Sequence, residues 1–304
     1  MAEKIKVTFL GTGSAVPTSR RNHPAVFVQY KDEGILFDCG EGTQRQFRKA
    51  GISPTKIKRI FLSHWHGDHV LGLPGLFQTL MLLKIEEKIE IYGPRGTRDL
   101  LALYSKLFLR KGNFVKLALD VFEVEKGVVF DGGEFCVESV PADHDVLTNS
   151  YAFVVKEKTR LDREKLKKFN LPNSPIVGKL ARGEKVVFDG KEIDGSKLIY
   201  KEPERRVAFV IDTRFCKQLV EISRGAELLI SESTFSADEK NLAEERAHMT
   251  SEDAARLAKE ANVKRLALIH LSQRHDEMPK KILGEARKIF KNVFLPEDLD
   301  SVEI

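Results

Sequence analysis

Between positions 63 and 69 the chain reads Ser63-His64-Trp65-His66-Gly67-Asp68-His69, and this run restricts the fold more than any other feature. It follows the apolar, strand-like segment Ile60–Leu62 and precedes an apolar stretch of helical period, so a strand must end where the histidines begin. In an extended chain residues two apart point the same way, which lets His64 and His66 hold one ion as a pair. Gly67 permits a sharp turn, after which Asp68 and His69 can face a second ion. Imidazole suits Zn²⁺, and one carboxylate beside three imidazoles suits a hydrolytic site rather than a closed structural one. The bland alternative is a polar turn with incidental histidines. The chain has 8 histidines, and three of them fall inside this short run, which argues against that alternative.

A second ion needs further ligands, and they stand at the ends of strand-like segments. His144 follows Phe135–Val140 in the run Pro-Ala-Asp-His-Asp, Asp212 ends Val207–Ile211, and His270 ends Arg265–Ile269. Strand termini are rigid supports, as a preorganised site requires. Taken singly, Asp212 reads equally well as a helix N-cap and His270 as a hydrogen-bonded core histidine. With the histidine cluster they complete two ions sharing one carboxylate.

Elsewhere, short runs rich in Val, Ile and Phe alternate with helical patterns. Strands are expected at Val7–Leu10, Ala25–Val28, Ile35–Phe37, Arg59–Leu62, Leu117–Glu123, Val128–Phe130, Phe135–Val140, Tyr151–Val155, Val207–Ile211, Leu228–Ser231 and Arg265–Ile269. Helices are expected at Gly42–Ala50, Leu71–Leu83, Arg95–Phe108, Arg214–Arg224, Ser251–Asn262 and Glu277–Phe290. Two such halves imply an α/β fold of two mixed sheets covered by outer helices. Residues 156–206 differ: 15 basic residues stand against 9 acidic ones, an excess larger than the +5 of the whole chain. With Pro172, Pro175 and Pro203 and few core-forming residues, this reads as a basic insertion projecting from a single domain spanning 1–304. The three cysteines are widely spaced with no Cys-x-x-Cys pair, so no disulfide partner is expected. No apolar run reaches membrane-spanning length, and a cytoplasmic protein is the default expectation.

The pattern His-x-His-x-Asp-His followed by a later His, Asp and His resembles the metallo-β-lactamase superfamily. Within it the chain resembles the RNase Z family, endonucleases that remove the 3′ trailer from precursor tRNA. The resemblance covers nearly the whole length and rests on GTGSAVPTSRRNHPA, FDCGEGTQRQ, RIFLSHWHGDHVLGLPGL and HMTSEDAARLA. It implies an αββα sandwich, two Zn²⁺ per subunit, a precursor tRNA substrate and a homodimer. Carried over residue by residue, His64, His66 and His144 hold one zinc, Asp68, His69 and His270 the other, and Asp212 bridges them. Asp38 orients the histidine motif, Asp68 is the general base, and His248 donates a proton or contacts the scissile phosphate. The basic insertion sits where the family carries its tRNA-gripping arm. The family loop Pro-x-Lys-x-Arg-Asn appears here as Pro17-Thr18-Ser19-Arg20-Arg21-Asn22, with serine for lysine, which makes Arg20, Arg21 and Asn22 candidate substrate contacts. Asn173-Ser174-Pro175 replaces the arm's Gly-Pro element.

The same superfamily allows an alternative, a phosphodiesterase or arylsulfatase-like hydrolase acting on a small substrate. The basic insertion separates the two, because a small-molecule hydrolase has no need of it. Other residues carry less. His23 and His275 read as surface or loop residues, Cys39 as small buried packing, and Trp65 as a lid or packing group. Gly11-Thr12-Gly13 lacks the ending of a phosphate loop and reads as a tight turn.

Overall fold

The computed structural model describes residues 3–85, 87–108, 117–169, 171 and 175–304. The chain first lays down β1 (Ile5–Gly11), β2 (Ala25–Tyr30), β3 (Glu33–Phe37), α1 (Thr43–Lys49), β4 (Ile57–Phe61), α2 (Gly67–Val70), α3 (Leu73–Leu82), β5 (Ile89–Gly93), α4 (Thr97–Phe108) and β6 (Leu119–Glu123). Then follow β7 (Gly127–Asp131), β8 (Phe135–Ala142) and β9 (Thr148–Val155). The insertion forms β10 (Lys158–Leu161), α5 (Arg163–Lys167), α6 (Pro175–Ala181), β11 (Lys185–Phe188), β12 (Lys191–Asp194) and β13 (Ile199–Glu202). The chain closes with β14 (Arg205–Val210), α7 (Lys217–Ser223), β15 (Leu228–Glu232), α8 (Lys240–Glu245), α9 (Ser251–Glu260), β16 (Leu266–Ile269), α10 (Pro279–Ile289), β17 (Val293–Phe294) and β18 (Ser301–Glu303).

Two 7-stranded sheets result, ordered β18-β1-β2-β3-β4-β5-β6 and β17-β16-β15-β14-β9-β8-β7. In each, antiparallel hairpins occupy one part and parallel crossovers the other: β3 to β6 run parallel in the first, β14 to β17 in the second. The sheets face one another across an aromatic layer in which Phe37 stacks on Phe209 with ring centroids 3.7 Å apart, and Phe61 on Tyr92 at 4.6 Å. Such pairs add about 0.5–1.5 kcal/mol each beyond their buried area. The outer faces bury against helices, α1, α3 and α4 on one side and α7, α9 and α10 on the other. The expected αββα sandwich is the observed fold.

The differences lie at short elements. The helix expected at Leu71–Leu83 is α3, while a one-turn helix, α2, begins inside the histidine motif at Gly67, where a sharp turn was expected. Gly72 separates the two against the Gly40 carbonyl, where an added Cβ would sit 2.0 Å from that oxygen. The segment Gly11–Gly13 is extended rather than a turn: the Gly13 N–H donates to the Asn22 carbonyl, and an added Cβ at Gly11 would lie 1.8 Å from the His23 carbonyl oxygen. The insertion has more internal structure than its composition suggests. β10 pairs with β13 and β11 with β12, and Leu180, Val186, Ile193 and Leu198 bury a small core of their own. Asn173 and Ser174 lie outside the described residues. Cys39, Cys136 and Cys216 are all free, and among the described residues no helix is long and apolar enough to cross a membrane.

Candidate metal centre

The carboxyl ends of the parallel strands in both sheets meet at one edge of the sandwich, the usual place for a site in a parallel sheet. Asp38 follows β3, Ser63 and His64 follow β4, Asp212 follows β14, Glu232 ends β15 and His270 follows β16. Asp38, Asp212 and His270 leave their strands with φ of 55°, 52° and 59°. Left-handed backbone at a non-glycine residue costs roughly 1–2 kcal/mol, so three such residues at one edge mark a place where side-chain direction outweighs backbone comfort.

These elements gather two sets of donors. Nitrogen or oxygen atoms of His64, His66, His144 and Asp212 lie within 4.8 Å of one another, as do those of Asp68, His69, Asp212 and His270. Asp212 belongs to both: its Oδ2 is 3.6 Å from His64 Nε2 and 3.3 Å from His69 Nε2, and its Oδ1 is 3.1 Å from His270 Nε2. Asp68 Oδ2 closes the second set at 3.3 Å from His69 Nε2 and 3.5 Å from His270 Nε2.

The remaining ring nitrogens are fixed by the protein. His69 Nδ1 donates to Asp38 Oδ2 at 2.8 Å. Asp38 also accepts from the Ser63 amide at 2.7 Å and the Ser63 hydroxyl at 2.8 Å. Because that hydroxyl donates to Asp38, it accepts from His64 Nδ1 at 2.9 Å. On the opposite sheet the Thr234 hydroxyl donates to Glu232 at 2.7 Å and accepts from His270 Nδ1 at 2.8 Å. His144 Nδ1 donates to the Ala247 carbonyl at 2.9 Å. His64, His69, His144 and His270 therefore each carry a proton on Nδ1 and aim Nε2 at the cluster, which is how outer partners prepare imidazole for a cation.

A divalent cation fits this donor set. His64 Nε2, His69 Nε2, His270 Nε2 and Asp212 Oδ1 are buried and have no hydrogen-bond partner. Buried polar atoms are rarely left so, and four of them converging between two carboxylates satisfy the chemistry of a metal site. The carboxylates dominate the electrostatics: burial acts to lower the His69 pKa, yet Asp212 and Asp38 beside it raise it well above the ordinary imidazole value, so a cation bound there would take the place of a proton. Burial would raise the pKa of Asp212 and Asp68, but His270 and His69 beside them hold both carboxyls well below the usual range. Burial, with His69 close by, pushes His64 well below the ordinary imidazole value, so it stays neutral. The site binds divalent metal.

His248 stands beside the cluster, its ring centroid 5.1 Å from that of His144 and 5.4 Å from that of His270. Thr250 caps α9 and forms a reciprocal box with Asp253, which anchors the backbone just after His248. Its Nδ1 faces both oxygens of Glu232 at 3.1 Å, and Glu232 is fully buried. Burial acts to lower the His248 pKa, yet the Glu232 and Asp212 carboxylates raise it to about 9. Glu232, which holds His248, is the residue of the site that sequence reasoning missed. The available signal was a glutamate closing the otherwise apolar run Leu228–Ser231.

Of the loop candidates, only Arg20 is exposed. Arg21 turns inward, donating to Thr12 Oγ1 and to the Pro296 carbonyl, and the Asn22 amide side chain bonds the Glu41 carbonyl. His23 and His275, read as surface or loop residues, are buried: His23 Nε2 bonds the Ala15 carbonyl and His275 Nε2 pairs with Glu239 at 2.7 Å. Trp65 packs on Tyr104 and donates its indole N–H to Thr97 Oγ1 at 2.8 Å, which pins the ligand loop to α4. A cleft of about 430 Å³, lined by Val16, Phe235, Arg246 and Arg274, opens over Asp68, Asp212 and His248. A second groove of about 800 Å³, lined by Arg95, Val146 and Leu147, meets it at His144 and Asp145.

Residues 5–168 match the family model described as Anti-Pycsar protein Apyc1, a stretch that ends before Asp212, Glu232, His248 and His270. Relatives match the whole chain. Ribonuclease Z of Methanothermobacter thermautotrophicus is 41% identical over 99% of this chain and 97% of its own length. Ribonuclease Z of Enterococcus faecalis is 38% identical over 99% and 97%. Among solved structures, the short form of human tRNase Z superimposes with a TM-score of 0.70 at 27% identity, covering 98% of each chain. The metallo-β-lactamase-fold protein YhfI from Bacillus subtilis gives a TM-score of 0.71 at 20% identity over the full length of both, a likeness of fold alone. On the strength of the full-length relatives, the chain belongs to the ribonuclease Z family, endoribonucleases of metallo-β-lactamase fold that hydrolyse phosphodiester bonds.

Proposed function

We propose that the protein removes the 3′ trailer from precursor tRNA with two Zn²⁺ ions, leaving a 3′-hydroxyl on the tRNA and a 5′-phosphate on the trailer. The observation that carries this reading is a pair of donor sets sharing Asp212 where two clefts meet. A chain cut internally must pass through a site, and clefts on both sides of His144 and Asp145 suit a polymer better than a small ester. His64, His66 and His144 would hold one ion, Asp68, His69 and His270 the other. Bound there, such cations make water nucleophilic at neutral pH and offset the growing charge on the phosphoryl oxygens.

The chain's own groups supply the rest. Asp68 Oδ2, which completes the second donor set and lines the cleft, accepts the proton of the attacking water. His248, whose Nδ1 is held by Glu232, presents its other nitrogen to the leaving 3′-oxygen and donates a proton to it. Phosphate contacts by the insertion would supply affinity without sequence reading. Arg163, Lys167 and Lys168 cluster on and after α5, and among the described residues none of them forms an ion pair, whereas Arg160, Lys185 and Lys201 are each paired with a glutamate. A homodimer is supported by the exposed apolar face formed by Leu100, Leu103, Leu107 and Phe108 of α4 with Leu82 and Leu83. A cytoplasmic location follows from the substrate.

Incubation with a 3′-extended precursor tRNA, with and without chelator, tests the proposal. Metal-dependent release of an intact trailer bearing a 5′-phosphate supports it. Turnover confined to small phosphodiesters overturns it.

A further inference from the structure

One wall of the metal cleft is formed by Ser14, Ala15 and Val16, which belong to the loop between Thr12 and Asn22. Both ends of that loop are gripped by one side chain from the far end of the chain. Asp298 Oδ1 accepts from the Thr12 amide at 3.0 Å and from the Thr12 hydroxyl at 2.8 Å. Its Oδ2 accepts from the Asn22 amide at 2.7 Å and from Gln46 Nε2 at 2.8 Å. Four donors are thus spent on one carboxylate, and two of them are the backbone amides at the two ends of the loop. The neck is otherwise tight: Gly13 N–H donates to the Asn22 carbonyl, Ser14 N–H donates to the Leu271 carbonyl, and Arg21 donates to Thr12 Oγ1. Gln46 also donates to the Leu10 carbonyl at 2.7 Å, which ties the neck to α1. Asp298 touches none of the metal donors, and His270 is held independently by Thr234.

We propose that Asp298 is a positioning residue: its carboxylate clamps the neck of the 13–22 loop, fixes that loop as a wall of the substrate cleft, and so sets affinity for the nucleotides next to the scissile bond without acting on the chemical step. This rests on the cleft being the RNA site of the proposed function. A carboxylate is the group required here, because every partner is a donor. An amide of the same shape would oppose a hydrogen to two of them.

The test uses full-length, metal-loaded Asp298→Asn, with Thr12→Val as a second variant that removes one of the four bonds to Asp298 together with the Arg21 bond to Thr12. Amide hydrogen exchange should speed up across residues 13–22 but not across 64–69 in Asp298→Asn, and change in the same sense but less in Thr12→Val. If the competent loop falls to about one tenth of the population, KM for a 3′-extended precursor tRNA rises about tenfold while kcat holds. Turnover of bis(p-nitrophenyl) phosphate, too small to need the wall, should stay within about twofold. Unchanged exchange at 13–22 in the folded variant overturns the clamp, as does faster exchange spreading to 64–69 with parallel loss of metal and of small-ester turnover. Should the parent protein leave precursor tRNA uncut, the proposed function fails by itself, and the exchange data still decide whether Asp298 holds the loop.

Discussion

Replacing Asp38 by asparagine tests the wiring of the metal centre with almost no change of shape. Asp38 sits at φ 55°, a conformation asparagine adopts readily, so the backbone has little reason to move. The carboxylate accepts three bonds, from the Ser63 amide, the Ser63 hydroxyl and His69 Nδ1. An asparagine can keep the first only by turning its carbonyl oxygen to the Ser63 amide, which puts its NH₂ where His69 Nδ1 and the Ser63 hydroxyl now donate. His69 must then move its proton to Nε2, the atom that faces Asp68 and Asp212, and the Ser63 hydroxyl loses its acceptor, which unsettles His64 as well. A charge-assisted bond of this kind is worth about 1.5–3 kcal/mol. At 1.4 kcal/mol per decade that is about 10- to 100-fold in metal affinity, the range found when outer partners of metal ligands are lost. Competition with a chelator at buffered free Zn²⁺ measures it directly, with circular dichroism to confirm the fold. Undiminished affinity in a folded Asp38→Asn protein would refute the reasoning that hydrogen bonds behind the ligands preset their tautomers.

Two other consequences are equally open to measurement. His248→Ala should lower kcat on precursor tRNA by about 100-fold or more while metal content stays at the parent level, and metal loss in parallel would instead make His248 a ligand. Glu232→Gln should lower kcat as well but also weaken metal binding, because Glu232 holds Thr234 behind His270. Excising residues 158–202, whose ends pair across β10 and β13, should cripple cleavage of precursor tRNA and flatten its salt dependence but spare bis(p-nitrophenyl) phosphate; equal loss on both substrates would remove the insertion from RNA binding.

Legibility in the sequence followed how local each feature is. His64, His66, Asp68 and His69 declare themselves because strand, turn and ligands are contiguous, whereas Asp212 and His270, each ending an apolar run, are legible only in combination with that cluster. Asp38 was placed as an orienting group by resemblance, and it does bond His69 and Ser63. Glu232 escaped because two of its partners, Thr213 and His248, are brought to it by chain crossings rather than by spacing. The same holds for His275, whose partner Glu239 lies 36 residues away in a turn that looks solvent-exposed in isolation. Arg21 is a candidate substrate contact by resemblance, but the Thr12 hydroxyl and the Pro296 carbonyl turn its guanidinium inward. In the insertion, Leu180, Val186, Ile193 and Leu198 are too sparse to announce a core, and only the pairing of β11 with β12 and β10 with β13 assembles one.

Elemental analysis of protein purified without added metal, read together with crystallographic anomalous scattering at the zinc edge, bears most directly on the central claim. The account predicts two ions per chain, one among His64, His66, His144 and Asp212, the other among Asp68, His69, Asp212 and His270. A single ion, or ions bound away from Asp212, would contradict it.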